Sequence, residues 1–92
     1  MAIIEKKIIV ANKKGLHARP AAMFVQMVTK YDVQVTVVKD TEKVNGKSIM
    51  GLLTLGAVVN TVLTITVEGN EAETAMRAFE DFFSKQEEEF LK

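Results

Sequence analysis

The chain has 92 residues, 48% of them hydrophobic, with 12 basic and 12 acidic side chains, one histidine and no cysteine. This is enough for one core, and a single domain over residues 1–92 is expected. Zero net charge excludes a global pull toward nucleic acid or anionic membrane, the lack of cysteine excludes disulfides, and no apolar stretch approaches the roughly 20 residues that span a bilayer.

In chain order, Ile4 to Val10 reads as a strand with Ile4, Ile8 and Val10 on one face and Lys6 interrupting them. Gly15 then permits a sharp turn, and a helix is expected to start at or just after His17, with Pro20 in its first turn. Ala21, Phe24, Val25 and Val28 recur at helical spacing, and this helix should end near Lys30-Tyr31. Val33, Val35 and Val37 alternate with Gln34 and Thr36 as a strand covered on one face. Lys39-Asp40-Thr41-Glu42 makes a hairpin to a short strand at Lys43–Asn45.

The second half continues in short elements. Ser48 is placed at or near the N-cap of a two-turn helix carrying Ile49, Met50, Leu52 and Leu53. Leu63, Ile65 and Val67 alternate with Thr64 and Thr66 as another strand. Asn70 and Glu73 match a capping box, opening a last helix with the stripe Ala72, Met76, Phe79 and Phe83, while Glu87–Glu89 should extend it into solvent. The order β-α-β-β-α-β-α predicts an α+β open-faced sandwich, a four-stranded antiparallel sheet with three helices on one face. Acylphosphatase-like, RNA-recognition and ACT-type modules share that outline, so the fold does not choose a function. RNA recognition would require outward aromatics, and the outward positions are Gln34, Thr36, Thr64 and Thr66.

Gly15-Leu16-His17-Ala18-Arg19-Pro20 outlines a phosphate site. A helix starting here aims its first N–H groups and the positive end of its dipole back toward the imidazole, with a guanidinium alongside. Free imidazole titrates near about 6.5, so much of it is neutral and nucleophilic at physiological pH. The helix end and Arg19 would stabilise the negative charge of a phosphorylated ring. A metal centre is disfavoured by the single His and the absence of Cys, and a Ser-His-Asp hydrolase by the lack of a Gly-x-Ser-x-Gly elbow. Neither a metal nor a cofactor is expected.

The segment Gly15–Ala21, together with Val44-Asn45-Gly46-Lys47-Ser48-Ile49-Met50-Gly51-Leu52-Leu53-Thr54-Leu55-Gly56, resembles the HPr family, the histidine phosphocarriers of the bacterial phosphoenolpyruvate-dependent sugar phosphotransferase system. The resemblance spans nearly the whole chain and implies the HPr-like open-faced sandwich. It implies a carrier, not an enzyme, in which His17 takes a phosphoryl group on Nδ1 from phospho-enzyme I and passes it to enzyme IIA domains of sugar permeases. Arg19 would neutralise the phosphate, and the amides of Ala18 and Arg19 would hold it. Ser48 matches the serine that an HPr kinase/phosphorylase modifies in many bacteria, and a transcriptional regulator is a further partner implied. A nitrogen-related paralogue or a purely regulatory HPr-like module is the alternative. The resemblance also fits a cytoplasmic monomer.

Ile49, Met50 and Leu52 are candidate partner contacts, because exposed apolar clusters on a polar surface mark interaction sites. The chain departs from the family between Gly56 and Leu63. Ala57-Val58-Val59-Asn60-Thr61-Val62 stands where a glycine and small polar residues are usual. Asn60 can take the left-handed conformation a glycine would supply, whereas Val59 and Val62 should add apolar surface.

Overall fold

A computed structural model describes the backbone of residues 2–90 and the side chains of residues 2–84. Its elements are β1 (Ala2–Ile9), α1 (Ala18–Val28), β2 (Val33–Lys39), β3 (Glu42–Asn45), α2 (Ile49–Thr54), β4 (Val62–Gly69) and α3 (Ala72–Phe90). All strand pairings are antiparallel, in the order β1-β4-β2-β3. This is the expected β-α-β-β-α-β-α sandwich.

The alternation in β2 and β4 sets the register. Val35 lies opposite Val67 and Val37 opposite Ile65, so one buried face runs across the sheet. A slip of one residue would turn every one of these side chains to solvent. Against that face pack Phe24 of α1 and Met76, Phe79 and Phe83 of α3, all fully buried. Phe24 and Phe79 meet edge to face, with centroids 5.0 Å apart. Each such side chain contributes about 1.5–3 kcal/mol through burial, which makes the contact of α1 with α3 and the sheet the anchor for α1 and hence for its first residue.

The boundaries differ from expectation where tertiary contacts intervene. β1 starts two residues earlier than Ile4, because Ala2 and Ile3 pair with Gly69 and Glu68. α1 ends at Val28, and tighter bonds from Lys30 and Tyr31 to Met27 and Val28 complete the turn. α3 begins at Ala72, with the Glu71 carbonyl accepting its first bond from Ala75, so the Asn70–Glu73 box is out of step with the helix. The Asn70 amide instead donates to Asp32 (2.9 Å), and the Glu71 carboxylate accepts the Asp32 N–H (2.8 Å), tying this helix start to the turn before β2. The expectation for Glu87–Glu89 concerns side chains outside the described residues.

In the divergent loop Asn60 takes φ 71, as its side chain allows. Val58 and Val62 are exposed, Val59 is half-buried and Ala57 is buried. Among the described residues, no helix is long and apolar enough to cross a membrane.

Candidate functional site

His17 is the N-cap residue of α1, with extended backbone (φ −103, ψ −168). Its carbonyl accepts the first intrahelical bond, from Ala21 at 3.0 Å. Ala18, Arg19 and Pro20 therefore form the first turn, and proline has no N–H. Two amides remain without an intrahelical acceptor, those of Ala18 and Arg19, both on exposed residues. The imidazole makes no capping hydrogen bond to them. Its Nε2 atom is sealed from solvent.

The loop that delivers His17 is held on both sides. The Leu16 N–H donates to the Ala57 carbonyl at 2.8 Å, joining this loop to the segment after α2. Gly15 has φ +73, and a Cβ there would sit 2.5 Å from the Ala57 carbonyl oxygen, so conformation and space both require glycine. Asn12, which sequence reasoning missed, is 96% shielded and organises the turn from inside: its Oδ1 accepts the Lys14 N–H (3.0 Å) and its carbonyl accepts the Gly15 N–H (2.8 Å). An Asn five residues before the His, in a segment expected to turn, was the available signal. Its Nδ2 is buried without a hydrogen-bond partner among the described residues.

Ser48 is the N-cap of α2 (φ −106, ψ 110), and its Oγ accepts the Gly51 N–H at 2.9 Å. The Asn45 carbonyl and Oδ1 accept from the N–H groups of Ser48 and Lys47, fixing the approach to this cap. At the other end, Lys39 Nζ donates to the carbonyls of Leu55 (3.0 Å) and Gly56 (3.4 Å). Lys39 thus places a cation at the negative end of α2, a role its position in β2 did not announce. α1 and α2 pack against each other, so the two helix starts belong to one layer.

The apolar residues of α2 divide. Met50 is 70% exposed and Ile49 39%, but Leu52 is 1% exposed and belongs to the core. This corrects the expectation that Leu52 is a partner contact. At roughly 100° per residue, Leu52 lies about 160° around the helix from Met50, so when one faces solvent the other must face the sheet. Among the described residues no group of three or more His, Asp or Glu side chains is arranged to hold a metal ion.

Comparison with known proteins gives the same direction from sequence and from shape. A family model described as the PTS HPr component phosphorylation site matches residues 4–85. The chain is 39% identical over 87 residues to the phosphocarrier protein HPr of Treponema pallidum, covering 95% of this chain and 99% of that protein. It is 42% identical over 84 residues to the HPr-like protein Crh of Halalkalibacterium halodurans, covering 91% of this chain and all of that one. The crystal structure of a phosphocarrier protein HPr from Bacillus anthracis superposes with a TM-score of 0.85 at 40% identity, covering 90% and 99% of the two chains.

Proposed function

Because the chain belongs to the HPr family of phosphotransferase-system phosphocarriers, we propose that it relays a phosphoryl group through His17, from phospho-enzyme I to enzyme IIA domains of sugar permeases. The observation that carries this reading is the start of α1. There His17 stands as a cap residue that does not cap, in front of two amides with no intrahelical acceptor. An incoming phosphoryl group supplies the acceptor oxygens those amides lack and the negative charge the helix dipole favours.

With Nε2 sealed from solvent, Nδ1 is the ring nitrogen assigned to attack. Its lone pair forms the P–N bond as the bond from phosphorus to the donor breaks, and the ring proton stays on Nε2. Arg19 then neutralises the phosphoryl oxygens, and the Ala18 and Arg19 amides orient them. These contacts are individually modest, about 0.3–1 kcal/mol for a helix end and more for a charge-assisted arginine contact, which suits a group that must leave again. Ile49 and Met50 are assigned to docking of the protein partners.

Ser48 is the proposed regulatory position, addressed by an HPr kinase/phosphorylase and read by a transcriptional regulator. A purely regulatory module is the second reading, favoured by the 42% identity to an HPr-like protein. One experiment separates them. Incubation with enzyme I and phosphoenolpyruvate should give acid-labile, base-stable phosphate on His17 by mass spectrometry; no incorporation on His17, with Ser48 still modified by the kinase, would leave the regulatory reading standing.

A further inference from the structure

We propose that β1 pairs antiparallel with β1 of a second copy of this chain, about a two-fold axis at Lys6, joining two four-stranded sheets into one. Among the described residues β1 has a strand neighbour on one side only, β4. The backbone direction of its residues follows from the ladder. The Val10 N–H donates to the Thr61 carbonyl at 2.9 Å, directly after the pair Ile9–Val62, so Val10 and, by alternation, Ile8, Lys6 and Ile4 aim their peptide groups at β4. Ile3, Glu5, Lys7 and Ile9 therefore turn their N–H and C=O groups to the open edge.

The same four residues carry a self-complementary side-chain pattern. With the axis at Lys6, Ile3 lies opposite Ile9 of the other copy and Glu5 opposite Lys7. Moving the axis to Glu5 or Lys7 sets like charges opposite each other and Ile against an ionic side chain, so one register is selected. Ile3 and Ile9 are 65% and 58% exposed, an unusual load of apolar surface for an edge that charges normally protect. Glu5 is already oriented, because Thr66 Oγ1 donates to its Oε1 at 3.2 Å.

Lys6 decides whether the register is tolerable, since it meets its own copy on the helix-covered face. It is held by Glu80 of α3 at 3.1 Å, so each Lys6 brings a counter-charge to the axis. Pairing of this kind is isologous and closed. It uses both β1 edges, and the joined sheet ends on β3 at either side.

Sedimentation equilibrium from micromolar to millimolar concentration tests it, with thermal melts confirming that each variant is folded. Glu5→Lys and Lys7→Glu should each weaken dimerisation by about tenfold or more, because each sets like charges opposite each other twice per dimer. The double variant Glu5→Lys/Lys7→Glu restores every opposite pair and should dimerise as wild type does. Mixing the two single variants should yield a heterodimer, since lysines at 5 and 7 in one copy face glutamates at 7 and 5 in the other. A wild type that stays monomeric at about 1 mM, the top of the concentration range, overturns the proposal. So does a dimer indifferent to these charges, as one formed by exchange of the whole β1 strand onto the partner's β4 would be.

Discussion

α1 and α2 both begin from a cap residue with extended backbone, His17 at φ −103 and Ser48 at φ −106, yet only the second closes its own end. The Ser48 hydroxyl accepts an N–H of its helix at 2.9 Å. His17 accepts none through its side chain, and the proline three residues later leaves only the Ala18 and Arg19 amides at that end. A closed helix start is a structural asset, worth about 1 kcal/mol for a serine cap. An open one gives up that stability, and in the proposed carrier role its donors are kept for the phosphoryl group. The same backbone geometry thus serves opposite ends, according to which side chain stands at the cap.

The largest effect should come from removing the open cap's chemistry. His17→Ala is expected to abolish phosphorylation by enzyme I while changing stability by less than about 1 kcal/mol, because no capping bond is lost. Mass spectrometry and a thermal melt measure the two halves. Undiminished labelling of the alanine variant would sink the phosphohistidine assignment. Arg19→Ala should act next most strongly, slowing transfer by roughly tenfold to a hundredfold, as expected when a charge-assisted contact to phosphate is lost. Arg19→Lys, which keeps the charge but not the planar fork, should recover only part of that rate.

A negative charge at the closed cap should have a smaller, regulatory effect. Ser48→Asp keeps an acceptor for the Gly51 N–H and favours the helix dipole, so its thermal midpoint should hold or rise slightly. Phosphorylation of His17 by enzyme I should nevertheless fall severalfold, because the new charge lies beside Ile49 and Met50 in the same layer as α1. A variant phosphorylated as fast as wild type would place Ser48 outside the docking surface. Ser48→Ala separates the structural role: losing the cap should cost about 1 kcal/mol, or about 4–8 °C in a domain of this size, with little change in transfer rate.

Which parts of this contrast could be read from the chain follows from the range of the interactions. Both cap positions were legible, since glycine, proline and serine act on their own neighbourhood, and so were β2 and β4, whose alternation sets which face is buried. Leu52 was misplaced because six residues of α2 show too little of a helical period to say which side faces the sheet. Asn70 looked like a cap by spacing, but its amide is used by Asp32, 38 residues away in the chain. Lys39 was invisible for the same reason, since it reaches carbonyls at the far end of α2, whereas Asn12 acts on its own turn and its signal was local. The complementary pattern of Ile3, Glu5, Lys7 and Ile9 was printed in the chain from the start, but it acquires meaning only once the strand order places β1 at an edge.

The smallest effect tests the contrast most directly, by closing the start of α1. His17→Ser puts a hydroxyl on a residue whose backbone already has cap geometry, so it can accept an N–H of the first turn as Ser48 does. Relative to His17→Ala, it should be more stable by about 0.5–1 kcal/mol, read as a rise of a few degrees in thermal midpoint. Both variants lack the imidazole, so the difference isolates the cap. If serine and alanine melt together, the amides at this end are satisfied by something other than a missing side-chain acceptor, and the start of α1 is not held open for phosphate. If serine is the more stable, histidine at this position is maintained against a local stability preference, as expected where the first turn is reserved for a transferred group.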